Sequence, residues 1–359
     1  MTGRGAVLAA LAAAALTAGA VPAARADDAG PVLAAVQDLG GATFGARDQS
    51  GAPLDGLDVL QVGPARYVGV HHALVGGHFE THLVSSSDLR TWRREAVLAQ
   101  DASQPAIAPV PDGGFVVADE RGSTLRLLPP IVLPESITGP TRLWLLQKSQ
   151  LRFRFYPTLD ALLSGKATRT FVAPRRLSRT NEGTPSIVVT RSGPGVAGLT
   201  VSTGLHVFED LDGDGLPDAD RQATGVLRGF RTWTATRRPD LDAPLLTATS
   251  FHAPFTAPVA GSIGDRDDVT LPDGRVTTIT EAQYVRGDFS SWRLFLRGAD
   301  GAAPTLLNPV TPGGSTSFGN PSLTSVTLPD GRPALVFTAF VFGGAPGEGG
   351  PLIHVQPLG

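Results

Sequence analysis

Val269-Thr-Leu-Pro-Asp-Gly-Arg275 and Val326-Thr-Leu-Pro-Asp-Gly-Arg332 are the same seven residues met twice along the chain, 57 positions apart. In each, an aliphatic run enters a Pro-Asp-Gly turn and a second apolar run leaves it. Pro presets φ for the start of the turn and Gly accepts left-handed backbone, so the composition is that of a β-hairpin. Pro111-Asp-Gly-Gly114 makes the same turn between Pro105-Ala-Ile-Ala-Pro-Val110 and Phe115-Val-Val-Ala118. Self-similarity at a roughly fixed period identifies an architecture better than local propensity does.

Two further elements recur in step with the turns. Ahead of them stand Gln104-Pro-Ala-Ile107, Thr184-Pro-Ser-Ile187 and Asn320-Pro-Ser-Leu323, each a polar residue, Pro, a small residue and an aliphatic; Asp58-Val-Leu-Gln-Val62 fits the same slot with Val in place of Pro. Each of the first four units carries a tryptophan, in Ser87-Asp-Leu-Arg-Thr-Trp92, Arg142-Leu-Trp144, Phe230-Arg-Thr-Trp233 and Phe289-Ser-Ser-Trp292. Five units emerge, roughly 55–100, 101–178, 179–243, 244–305 and 306–357. Units of about 60 residues with three or four short strands read as blades, so the expectation is an all-β, five-bladed β-propeller. A generic β-sandwich is the alternative, and a six-bladed count would require splitting the second or third unit.

Residues 1–26 are set apart from this repeat. Arg4, the Ala/Leu/Val run to Ala20 and the small-residue site Ala24-Arg25-Ala26 have the form of a secretory signal peptide, so a secreted, extracellular protein is expected, with 27–54 as a lead-in to a single domain at 55–359. No later segment has the ~18 consecutive apolar residues of a membrane span. Without cysteine there is no disulfide framework, and a large core or a metal must hold the fold. Removing Arg4 and Arg25 from the 30 basic residues leaves about 28 against 33 acidic ones, a balance that argues against a nucleic-acid partner. Forty-three Gly and thirty Pro leave little room for helix beyond Pro31–Leu39 and Thr158–Gly165. A monomer is the expected state.

The order of strand, Pro-Asp-Gly turn, strand and then Ser86-Ser-Asp-Leu-Arg-Thr-Trp92 resembles the first blade of the five-bladed glycoside hydrolases of families 43 and 62, the arabinanase, xylosidase and arabinofuranosidase type. The resemblance implies a carbohydrate substrate bound in an axial funnel at the beginnings of the innermost strands, near Gln104, Asn181 and Asn320. It implies a catalytic base opening the inner strand of blade one, where Asp58 stands, and an acid on a middle blade, for which Glu182 in Asn181-Glu-Gly-Thr-Pro-Ser-Ile187 is the candidate. One carboxyl group would protonate the leaving oxygen and the other would activate water. The third carboxylate of the family has no clear counterpart: Gln104 holds the blade-two slot, with Asp101 upstream and Asp119-Glu120 at the end of the next strand. A propeller that binds glycan or another surface partner without turnover is therefore the alternative function. A sialidase-like enzyme would need an arginine triad and a Tyr/Glu pair, for which Glu281 beside Tyr284 is the nearest match.

Other polar residues carry weaker expectations. Glu281 is either an inward polar group or an outward solvated one, the second favoured. His71 and His72 alternate across a strand and so point to opposite faces, which prevents them from ligating one metal together. His354 is either structural or, as a last-blade histidine in the resembled family, close to the axis. Finally, Glu209-Asp-Leu-Asp-Gly-Asp-Gly-Leu-Pro-Asp-Ala-Asp220 holds Asp210, Asp212, Asp214 and Asp218 at the spacing of a calcium loop, with Gly215 at the sharp turn. Position 12 is Arg221 rather than Glu, and the flanks read as strand, so the expectation is a lone structural calcium clip between two strands.

Overall fold

The computed structural model describes residues 30–122, 148–211, 213, 218–247, 261–271, 274, 276–284, 288–298 and 304–358. Among them are five four-stranded antiparallel sheets. Blade one is β2 (Asp55–Gly63), β3 (Arg66–Val75), β4 (His78–Ser86) and β5 (Arg93–Gln100); blade two is β6 (Ala102–Pro109), β7 (Phe115–Arg121), β8 (Gln150–Tyr156) and β9 (Arg169–Val172). Blade three is β10 (Glu182–Arg191), β11 (Leu199–Glu209), β12 (Ala219–Arg228) and β13 (Thr232–Arg237), and blade four is β14 (Ser262–Thr270), β15 (Val276–Gln283), β16 (Trp292–Gly298) and β17 (Thr305–Leu307). Blade five has β18 (Phe318–Thr327), β19 (Pro333–Val341) and β20 (Gly350–Pro357), and its outer strand is β1 (Thr43–Phe44) from the other end of the chain. Contacts run from β2 to β6, β10, β14, β18 and back to β2, so the first strand of every blade lines one closed ring: a five-bladed β-propeller.

The repeated turns are the same turn in three dimensions. Gly113, Gly274 and Gly331 each donate a backbone hydrogen bond to the residue three before it, at 3.0, 2.9 and 2.9 Å, and each has positive φ. The repeated Pro slots are also one feature, a bulge near the start of each inner strand. Ladder pairing skips residues 56–57, 104–105, 184–185, 264–265 and 320–321. The first skipped residue has φ of +60° at Gly56, +47° at Gln104, +48° at Thr184 and +50° at Asn320. Left-handed backbone costs a non-glycine residue about 1–2 kcal/mol, so three such residues at equivalent places mark a constraint shared by the blades. The bulge also resets the sequence alignment: Gly56, not Asp58, is the counterpart of Gln104, and Asp58 lies two residues deeper.

The cores lie between neighbouring blades. Tyr67 and Trp92 of blade one pack with Val326, Val336 and Ile353 of blade five, and Phe153 of blade two packs with Val201 and Trp233 of blade three. Trp233 lies over Gly225, where a Cβ would collide with the indole. Among the described residues three α-helices sit at the margins: α1 (Gly30–Gln37), α2 (Leu159–Leu163) capped by the Thr158 hydroxyl, and α3 (Pro239–Thr247), which the Gly/Pro-rich composition did not suggest. Val32, Val36 and Leu39 enter the core between blades four and five, so the lead-in segment is built into the propeller at both α1 and β1. Residues 1–29 and Trp144 lie outside the described residues.

Candidate functional site

A funnel of about 300 Å³ opens at the axis over the starts of the inner strands. Four blades supply carboxylates to it: Asp55 from blade one, Glu120 from blade two, Asp220 from blade three and Glu281 from blade four. Amides come from Gln104, Asn181 and Asn320, imidazoles from His72 and His206, and rings from Phe79, Phe208, Phe289, Trp292 and Phe342. The three residues expected to bind substrate thus do converge, and Gln104 Nε2 donates to Asn320 Oδ1 across the axis at 3.2 Å. A deeper cavity of about 170 Å³ lies beyond a waist made by Gln104, Thr184 and Asn320, which line both spaces.

The waist is held by a clasp repeated from blade to blade. The bulge forces a backbone N–H out of the ladder, and such a donor must find a partner. At Thr184 the partner is Glu120 Oε2 of the preceding blade, at 3.3 Å; at Asn320 it is Glu281 Oε2, at 2.6 Å; at Gln104 it is His72 Nδ1, at 3.3 Å. Glycine is required beside these acids, since a Cβ on Gly183 would collide with the Glu120 carboxylate and one on Gly264 with that of Glu281. Glu281 is therefore an inward group, 5% exposed, rather than an outward solvated one. His72 is also fixed from its other side, where Nε2 lies 3.2 Å from Asp55 Oδ2, and Asn320 Nδ2 donates to Asp55 Oδ1 at 3.3 Å.

Asp58 and Glu182 are not brought together. Asp58 lies below the waist in the deeper cavity, where it accepts from the Ile107 N–H at 2.7 Å. The Ser322 hydroxyl bridges it to Asp267 of blade four, 2.8 Å from Asp267 Oδ2 and 3.5 Å from Asp58 Oδ1. Both carboxylates line this cavity and are ringed by protein. Desolvation and then the facing Asp267 charge hold Asp58 well above the usual carboxylate range, and burial lifts Asp267 to about 6. Glu182 lines neither cavity: its Oε1 takes the backbone N–H groups of Arg176, Leu177 and Ser178 at 2.5, 2.5 and 3.1 Å, tying the 175–178 segment to β10. Asp119 is likewise turned away from the funnel, between Arg152 at 2.9 Å and Arg154 at 2.7 Å. His354 is on β20, two strands out from the axis. Sequence reasoning missed Asp55, Asp220 and the inward aim of Glu281: Asp220 and Glu281 lie on β12 and β15, outside the repeated Pro slot, and Asp55 lies ahead of the blade-one bulge, where Gly56-Leu57 carries no Pro to mark it.

The acidic stretch 209–220 connects β11 to β12. Asp218 Oδ2 accepts from the Leu211 N–H at 2.6 Å and Asp210 Oδ1 from that of Gly213 at 2.7 Å. Asp212 and Asp214 lie outside the described residues. Asp220, the last of the stretch, is the one that reaches the funnel.

Neither a protein-family model nor a curated protein matches the sequence. Among solved structures, an endo-arabinase from Bacteroides thetaiotaomicron is 12% identical with a TM-score of 0.48, over 88% of this chain and 98% of that one. A family 43 glycoside hydrolase from Bacillus licheniformis is 12% identical with a TM-score of 0.49, over 86% of this chain and 53% of that one. An α-L-arabinanase from Penicillium chrysogenum, complexed with arabinobiose, is 10% identical with a TM-score of 0.44, over 88% and 96%.

Proposed function

We propose that the chain is an exported, carbohydrate-active propeller that hydrolyses glycosidic bonds in its axial funnel. The observation that carries this reading is the convergence of Asp55, Glu120, Asp220 and Glu281 among the funnel's amides and aromatic rings. Amides and carboxylates pair with sugar hydroxyls, and ring faces take the apolar faces of the sugar. Cleavage needs one carboxyl to protonate the leaving oxygen and one carboxylate to activate water or attack the anomeric carbon.

Glu120 and Glu281 accept from backbone N–H groups of the waist, and Asp55 and Asp220 are the two funnel aspartates, so the chemistry is assigned to this pair. Asp55, oriented by His72 and Asn320, takes the part of the base. Asp220, 4% exposed beside Phe208, takes that of the acid, since the acid of such a pair is the one in the drier setting. The test is an assay of the mature protein on aryl arabinofuranosides, aryl xylosides and a polysaccharide panel. Asp55→Asn and Asp220→Asn are expected to lower kcat about 10²–10⁴-fold, while Glu182→Gln leaves turnover near that of the parent. Full activity in Asp55→Asn would remove the assignment.

A second reading, a glycan-binding propeller without turnover, is favoured by one feature: four of the five bulge positions at the waist hold Gly56, Gln104, Thr184 and Asn320, none of them acidic. Binding on a glycan array with no hydrolysis would select it. Export itself rests on residues 1–26. The 210–218 loop is proposed as a calcium clip, supported by its carboxylate spacing and its place in a β-hairpin connection.

A further inference from the structure

We propose that Asp48, His71 and His82 form a structural site for a borderline divalent transition ion, zinc by its donor set, which pins the N-terminal lead-in to blade one at the closure of the ring. The two histidines are directly opposite on β3 and β4, so their side chains leave the same face of the sheet. Asp48 reaches them from the 47–53 turn, and Asp48 Oδ2, His71 Nε2 and His82 Nδ1 are each buried with no hydrogen-bond partner. Relative exposure is 4%, 0% and 0%, and the three residues offer ligand atoms within 4.8 Å of one another.

Hydrogen bonding on the far sides of the rings decides what these atoms are. His71 Nδ1 lies 3.2 Å from the His72 carbonyl oxygen, which can only accept, so that nitrogen carries the proton and Nε2 is a lone pair. His82 Nε2 lies 2.9 Å from Glu80 Oε2, which by the same reasoning leaves Nδ1 a lone pair. Asp48 is turned by Oδ1, which accepts from the Ser50 N–H, the Ser50 hydroxyl and the Ala52 N–H at 2.7, 2.6 and 3.0 Å, and this aims Oδ2 at the rings. Three buried lone pairs thus meet with no proton assigned between them. Arg94 Nε, 3.9 Å from Asp48 Oδ2 on a side chain 37% exposed, is beyond hydrogen-bond reach. Two imidazoles and a carboxylate suit zinc and not calcium, and a carboxylate or carbonyl behind each ligating histidine is the usual outer support of such a site. At metal–ligand bonds of about 2.0–2.2 Å the donors would draw in slightly, with water able to complete the tetrahedron.

The position explains why an ion would be held there. The chain passes from β1, the outer strand of blade five, through Asp48 to β2, the inner strand of blade one, so the cluster sits where the two ends of the ring join. In a chain without cysteine a metal staple at this joint does what a disulfide does elsewhere, since an ion bound only by the folded state raises its stability. None of its three ligand residues lines the funnel or belongs to the 210–218 loop.

The test is metal analysis of the full exported chain after dialysis, with thermal melts in zinc, in a zinc-selective chelator and in a calcium-selective chelator. About one zinc per chain, and a Tm lowered by the zinc chelator and restored by zinc, is the expected result. Asp48→Asn keeps an acceptor for the Ser50 and Ala52 turn and places a donor toward the ring nitrogens. It should fold, lose the ion, and melt at a temperature indifferent to the zinc chelator. Cobalt added to the stripped parent, but not to Asp48→Asn, should give the visible bands of a four-coordinate ion. Parent protein that takes up no zinc and melts identically with and without it, or an Asp48→Asn chain that binds as much as the parent, overturns the proposal; the first result would mean that a proton occupies the centre.

Discussion

Asp55 and Asp58 are three residues apart and differ in everything that matters for chemistry. Asp55 stands above the bulge, in contact with His72 and Asn320 and open to the funnel; Asp58 stands below it, facing Asp267 across the Ser322 hydroxyl. The lower pair has a signature of its own in pH. A carboxyl whose native pKa is raised binds its proton more tightly folded than unfolded, so stability is complete at low pH and is lost as pH rises through the native value. For Asp267 the window runs from the ordinary value of 3.8 to about 6. Asp267→Asn keeps an acceptor for Ser322 and Leu323 and removes the charge. It is expected to raise stability by about 1–3 kcal/mol at pH 7.5 and by little at pH 4, measured by denaturant melts at both. A variant less stable than the parent at pH 7.5 would show that the deeper cavity needs the charge. At the same scale, a pH-independent loss of turnover in Asp55→Asn with KM little changed would separate chemistry from binding.

Elements meet the axis through the bulges, and the clasps between successive blades are where element packing and site geometry become one question. Glu281 takes the Asn320 N–H that the blade-five bulge has freed, while Gly264 and Gly319 leave room for its carboxylate. Glu281→Ala is expected to cost about 1–3 kcal/mol, the penalty for a buried donor left without its acceptor, and Glu281→Gln to cost less because an acceptor remains. Equal melting of Glu281→Ala and parent would mean that water replaces the carboxylate at no cost. The hairpin between β11 and β12 carries its own prediction. A calcium-selective chelator should lower Tm by a few degrees, and Asp210→Asn should lower Tm to the same value and abolish the chelator's effect.

Over the whole molecule, stability depends on a ring whose last blade is completed by its first strand. Leu39, fully buried between α1 and blades four and five, ties that strand's approach to the core. Leu39→Ala should lose about 2–5 kcal/mol in a single cooperative transition; a split transition would show that the lead-in unfolds alone. The sequence by itself determined the five units, their turns and the apolar strands between them, because each is written in contiguous residues: Pro-Asp-Gly demands a turn, and alternating aliphatics demand a buried strand. The resemblance set Gln104, Asn181 and Asn320 near the axis, and the three residues line the funnel. Only the tertiary structure decided which acids face the axis. A bulge skips two residues of the ladder and turns the side chains on either side of it to different levels. That put Asp55 at the funnel and Asp58 below it and opened a gap in β14 opposite Glu281, while Glu182, at the start of β10, caps three backbone amides. Only the tertiary structure, too, set His82 opposite His71 and brought Asp48 to both, since cross-strand register and ring closure join residues that no local spacing relates.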